Sequence, residues 1–206
     1  MKKQKKKGYL FVRTIGYILR IILIVMCLYS IIIGEYLWSL FSLIMVFIVF
    51  IPVILRKKFE IDLPYLFDIF ICLSFIFHMD YSIYHNFDFI PFYNKFTHFF
   101  SAVVVAFIFL IIIYVFYEYH RGIKIHAEKT VFDLIMITMA FGVFWEFLEW
   151  ITDYLFSWNS QTSLNDTMGD LFADTLGGIF IGIIGFFLIK RGILQSFSKD
   201  LKKLFK

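Results

Sequence analysis

Long apolar runs separated by short polar ones occupy most of this chain. Six windows read as membrane-crossing helices: 15–33, 36–55, 63–77, 96–117, 131–151 and 168–189. A crossing takes about 20 mainly apolar residues. The third window is the weakest, because Asp68 lies inside it and Asp62, His78 and Asp80 flank it. The pattern predicts an all-α fold: a polytopic transmembrane helical bundle of about six spans, forming a single transmembrane domain over residues 1–206. The windows leave no room for a separate soluble domain, and the chain has no internal repeat.

Composition agrees with lipid as the solvent. The chain is 61% hydrophobic, whereas soluble domains lie near about 45–50%. That much apolar surface cannot be buried inside a water-soluble globule of this length.

Charge adds an orientation. Lys2, Lys3, Lys5, Lys6 and Lys7 precede the first window, and Arg56, Lys57 and Lys58 follow the second. Arg121, Lys124 and Lys129 lie between the fourth and fifth. Lys190, Arg191, Lys199, Lys202, Lys203 and Lys206 follow the sixth. Basic residues thus mark every second connection, as the positive-inside rule requires for six crossings with both ends cytoplasmic. Each cluster abuts a span, so the lysines are read as orienting charges and no nucleic-acid partner is expected. The first window has the basic head and apolar run of a signal peptide. No small-residue cleavage pattern follows near 33–35, so an uncleaved anchor is expected. Cys27 and Cys72 both fall inside windows and read as small buried hydrophobes.

The two long outer connections, 79–95 and 152–167, are rich in Tyr, Phe and Trp, which suit the headgroup layer. Both are long enough to fold back over the bundle. His78, Asp80, His85 and Asp88, in or beside the first of them, read as solvated residues.

Candidate chemistry sits just below these connections. Asn94, His98, Ala102 and Ala106 recur every four residues. Gly142, Glu146, Glu149 and Asp153 follow a 4-3-4 spacing. Asp166, Asp170, Asp174, Gly178 and Gly182 again recur by four. Such spacings put residues on one helical face. Small residues mark faces where transmembrane helices approach closely, so the three stripes are expected to face one another. At about 1.5 Å per residue, His98, Glu146, Glu149, Asp170 and Asp174 fall within about 5–12 Å of the outer interface.

Each charge in hydrocarbon costs at least about 2.5–3.5 kcal/mol on insertion scales. Four carboxylates and a histidine at one level therefore call for a compensating role. They suit a divalent cation of the Mg, Mn, Fe or Zn range. In that reading His98, Glu149, Asp170 and Asp174 are ligands, and Glu146 is the general base that activates a metal-bound water. The substrate would be an envelope lipid or lipid-linked headgroup. Two other readings use the same residues. A cation or proton transporter would need Asp68, and Asp133, as the inner half of its path. A structural or interaction protein of the envelope would need only a polar staple, with Lys95 and His98 pairing Glu149 or Asp170 and with Asp166 capping a helix.

Several other chemistries lack their signatures. The chain has no G-x-S-x-G, no H-E-x-x-H and no Gly-rich phosphate loop. No arginine falls on the outer side to serve a phosphatase.

Three segments, N-K-F-T-H-F at 94–99, W-E-F-L-E-W at 145–150 and N-D-T-M-G-D-L-F-A-D-T-L-G-G at 165–178, carry a resemblance. Over about residues 90–190 the chain resembles the small inner-membrane proteins of bacteria typified by YjdF. The resemblance implies a multi-pass protein of the bacterial cytoplasmic membrane and supplies no reaction. The chain is more distantly similar to VanZ-like proteins, which carry D-K-x-x-H and a later D-x-x-x-N-x-x-G. Lys95 and His98 match that pattern, while Asn94 and Asp174 depart from it.

Overall fold

The computed structural model describes residues 2–58, 63, 65–80, 83, 90, 92–119, 125–157 and 160–192. Asp62, His85 and Asp88 lie outside the described residues. Among those described, all regular structure is helical. The helices are α1 (Lys2–Ile32), α2 (Tyr36–Lys58), α3 (Tyr65–Met79), α4 (Tyr93–Tyr119), α5 (Ala127–Phe156) and α6 (Leu164–Lys190). Five of them are long and apolar enough to cross a membrane. The fifteen residues of α3 rise only about 22 Å, against a hydrocarbon core of about 30 Å. The protein is a helical membrane bundle. Most helices extend past their apolar windows, because the polar residues at their ends continue the same hydrogen-bond ladder.

The chain divides into two compact units, one up to Tyr93 and one from Asn94. In the first, α1 and α2 form a hairpin whose turn falls at Gly34, with φ +86°. That left-handed backbone is free of strain only for glycine. The hairpin is pinned by Ser30 and Ser39, whose hydroxyls lie 2.8 Å apart. Leu23, Val49, Ile71 and Cys72 fill the core between α1, α2 and α3.

Inside that unit sits a charge that single-residue reading overlooks. Arg20 is 3% exposed in the middle of α1. Its Nε donates to the Val49 carbonyl at 3.0 Å, its Nη1 to the Gly16 carbonyl at 3.2 Å, and its Nη2 to Asp68 Oδ1 at 2.7 Å. Arg56 completes the group, with Nη2 on Asp68 Oδ2 at 2.6 Å and Nε on the Leu63 carbonyl at 2.9 Å. Both oxygens of Asp68 are thus held by guanidinium groups.

In the second unit, glycines on two sides of α6 set the packing. A Cβ on Gly177 would stand 2.6 Å from Ala102 Cβ and 2.9 Å from the Phe99 carbonyl, and one on Gly185 would stand 2.9 Å from Leu110. These positions bring α4 alongside α6, running in the same direction. Gly178 abuts Thr138 and Ile135, and Gly182 abuts Val131. Here the order reverses, so α5 runs antiparallel to α6. The α6 helix is therefore wedged between α4 and α5, and the expectation that small residues mark the close approaches holds. On the outward faces Phe132, Phe144, Phe147, Trp150 and Phe172 are exposed, as side chains in contact with lipid would be.

Candidate metal centre

The directions just derived bring one end of α4, α5 and α6 together. Asn94, Lys95 and His98 lie in the first turns of α4, Glu146, Glu149 and Asp153 toward the end of α5, and Asp166, Asp170 and Asp174 in the first half of α6. The α6 helix begins cleanly because Ser163 caps it, its side chain accepting from the Asp166 N–H at 3.2 Å. This corrects the expectation that Asp166 is the cap. Asp166 lies in the first turn and instead pairs with Lys95 and accepts from Thr162 Oγ1 at 2.8 Å. Gly169 leaves room for that pairing, since a Cβ there would stand 2.8 Å from the Lys95 stem.

At the centre His98, Glu146 and Asp170 offer ligand atoms that all lie within 4.8 Å of one another. All three are buried, at 7%, 5% and 1% exposure. Asp170 Oδ2 accepts from Asn94 Nδ2 at 3.0 Å. Its other oxygen stands 3.0 Å from Lys95 Nζ and 3.7 Å from His98 Nε2. The first is an ion pair and the second is beyond hydrogen-bond distance, so among the described residues Oδ1 is buried with an ionic partner and no hydrogen bond. The Glu146 carboxylate is likewise half satisfied: Oε2 accepts from Gln161 Nε2 at 3.3 Å, and Oε1 is buried without a partner.

Asp174 and Glu149 stand beside this group. Asp174 Oδ2 lies 3.4 Å from His98 Nδ1 and so bears on the ring nitrogen opposite Nε2. Gly142 makes that placement possible, because a Cβ there would run into the Asp174 carboxylate. Glu149 is half-buried and accepts from the Trp145 indole at 2.8 Å through Oε1. Of the five residues singled out in the sequence, the structure therefore converges three, sets Asp174 against the histidine and turns one oxygen of Glu149 to an indole.

The connection from α5 to α6 reaches the cluster through Gln161, a residue the spacing argument did not find. Asp153 accepts from the backbone N–H groups of Ser160 at 2.7 Å and Gln161 at 2.8 Å. The Gln161 amide then spans Thr167 Oγ1, at 2.9 Å, and Glu146. Asp153 thus holds the turn that presents Gln161 to the site.

The acids a transport path would use are differently employed. Asp68 is bound by two guanidiniums, and Asp133 pairs with Lys129 one turn away at 2.9 Å. Asp80 is buried, not solvated.

The family described as "Predicted membrane protein (DUF2238)" matches residues 15–191, and the chain belongs to it. The match agrees with the resemblance carried by the three motifs and extends it through α1, α2 and α3. No curated protein and no solved structure matches the chain.

Proposed function

We propose that this member of the DUF2238 family binds a divalent cation on His98, Glu146 and Asp170. It would use that ion at the outer face of a bacterial cytoplasmic membrane, on an envelope lipid or lipid-linked headgroup. One observation carries the reading: two buried carboxylate oxygens, Glu146 Oε1 and Asp170 Oδ1, have no hydrogen-bond partner in a group that also contains a histidine. Asp170 is ion-paired to Lys95, but a buried carboxylate oxygen without a hydrogen bond, as on Glu146, is costly in a membrane interior. A cation satisfies both oxygens at once.

The dimensions suit an ion. Two ligands each about 2.2 Å from one metal stand at most about 4.4 Å apart, so the group needs only a small contraction. Imidazole with two carboxylates fits Mn, Fe or Zn, and Mg with more water in its shell. Asp174, on Nδ1, would fix the ring with Nε2 toward the ion, the usual carboxylate–histidine–metal arrangement. Three protein ligands leave positions for water or for a headgroup oxygen. In this reading Glu146 serves as a ligand, and Glu149 is the acid left over for proton transfer.

A second reading rests on Lys95, whose ammonium lies between Asp166 and Asp170. With His98 it already offsets part of the acidic charge, so the same residues can act as a staple of three helices. Metal analysis of the purified protein separates the two. The metal reading expects near-stoichiometric Mg, Mn, Fe or Zn in the wild type, lost in His98→Ala and Glu146→Gln. Background metal in all three proteins would leave only the staple.

A further inference from the structure

We propose a second binding site, for a phosphate group, in the first unit of the chain. A cavity of about 160 Å³ is lined there by Arg13, Tyr17, Arg20, Arg56, Lys57 and Tyr65. Four of the seven lining side chains are cationic, the seventh residue being Val53. That volume is close to the ~150 Å³ of a cavity able to hold a benzene molecule, and it accommodates a phosphate with a few waters.

The lining is built, not incidental. Arg20 and Arg56 are 3% and 10% exposed and are fixed by Asp68 at 2.7 and 2.6 Å. Arg56 also lies over the Tyr65 ring, 4.1 Å from its centre, and Arg13 and Arg20 lie 5.6 and 5.7 Å from the centre of the Tyr17 ring. Among the described residues two guanidiniums face one carboxylate, and both oxygens of that carboxylate are already used. Arg13 and Lys57 bring two further cationic side chains to the lining. Planar guanidiniums on a rigid mount and a flexible ammonium nearby are the donors that recognise phosphate oxygens. The cavity lies where α1 enters and α2 leaves the apolar band, Leu10–Ile32 and Tyr36–Lys58. Arg13 and Lys57, near the ends of these spans, stand at the depth of lipid headgroups while Arg20 lies further in, and basic pockets between transmembrane helices that open at this depth take anionic headgroups. The ligand is thus a phosphate mono- or diester, presented by an anionic lipid or by free phosphate.

The test uses the full chain in nanodiscs of phosphatidylcholine alone and of an equal mixture with phosphatidylglycerol. A parallel arm adds inorganic phosphate to protein in zwitterionic detergent. The site predicts that phosphatidylglycerol raises the unfolding midpoint by about 5–10 °C at saturating lipid. The Arg13→Gln/Lys57→Gln double variant, which leaves the Asp68 group untouched, should lose most of that rise. A charge-matched control at residues that do not line the cavity, Lys58→Gln/Arg191→Gln, should keep it. A rise with inorganic phosphate, lost in the same double variant, supports the site and assigns it to soluble phosphate. Native mass spectrometry supplies a readout independent of stability: the wild type and the control should retain phosphatidylglycerol that the cavity variant releases. An equal rise and equal lipid retention in both double variants, or no response to either phosphate source, overturns the proposal.

Discussion

Glu146→Gln probes the proposed metal centre through a change of sign. In the metal-free protein Glu146 holds a carboxylate at 5% exposure whose one hydrogen bond among the described residues is the long one from Gln161, at 3.3 Å. An amide removes the charge and supplies an N–H to a group in which Asp170 Oδ1 makes no hydrogen bond. Satisfying a buried polar atom is worth about 1–3 kcal/mol, so in chelator the variant should equal or exceed the wild type. With ion present the order changes. An ion at 100 times its Kd stabilises the folded state by about 2.7 kcal/mol, or about 5–10 °C for a chain of this size. The variant, short of one ligand, should gain almost nothing. Thermal unfolding followed by tryptophan fluorescence in detergent, with chelator and then with Mg, Mn, Fe(II) or Zn, measures both quantities. A wild type indifferent to all four ions, together with a variant less stable in chelator, would refute the reasoning. Glu146 would then be a satisfied structural acid.

Further outcomes follow from the same geometry. His98→Ala and Asp170→Asn should be strongly non-additive in stability if they share one network, whereas additivity within about 0.5 kcal/mol would dissolve it. Asp68→Asn should cost about 3–5 kcal/mol, because it strands two buried guanidiniums; a cost below about 1 kcal/mol in a denaturant or thermal series would show them to be hydrated. Gly177→Ala should cost about 1–3 kcal/mol, and Ala102→Gly should not rescue it, since the Phe99 carbonyl still stands 2.9 Å from the new Cβ. Reporter fusions after Lys58, Lys129 and Lys206 should read cytoplasmic, and fusions within 80–88 and 157–162 external; the same side for Lys58 and 80–88 would mean that α3 enters the membrane without crossing it.

The helices were legible because lipid imposes a strong rule: about 20 apolar residues and a helical period. The stripes on α4, α5 and α6 were legible for a related reason, since polar residues and glycines on lipid-facing positions carry a cost and must turn inward. What spacing along one helix cannot supply is the partner across the gap. Glu146 and Glu149 differ by three residues and share a face, yet Glu146 meets Gln161 while Glu149 meets Trp145. The choice between ligand and base therefore turns on rotation of α5 by a fraction of a turn. Arg20 escaped for the opposite reason. It is one charge in a long apolar run, and only contact with α3 pairs it with Asp68. The cap of α6 was a choice between neighbours: Ser163, three residues before Asp166, fits the capping pattern as well as Asp166 does.

The two buried charge clusters of this protein differ in one respect that bears on function. Around Asp68 the account is closed: each carboxylate oxygen accepts a guanidinium N–H, and the Nε groups of both arginines find backbone carbonyls. Around His98 it is open. Lys95 and His98 come within 3.0 and 3.7 Å of Asp170 Oδ1 without hydrogen bonds to it, and Glu146 Oε1 has none. If burial of charge served only to fix helices against one another, both clusters should have settled into closed arrangements, since each unsatisfied oxygen costs about 1–3 kcal/mol or more. The same chain closes one and leaves the other open. In the metal reading, a cation brings the missing bonds to the open carboxylate oxygens of Glu146 and Asp170.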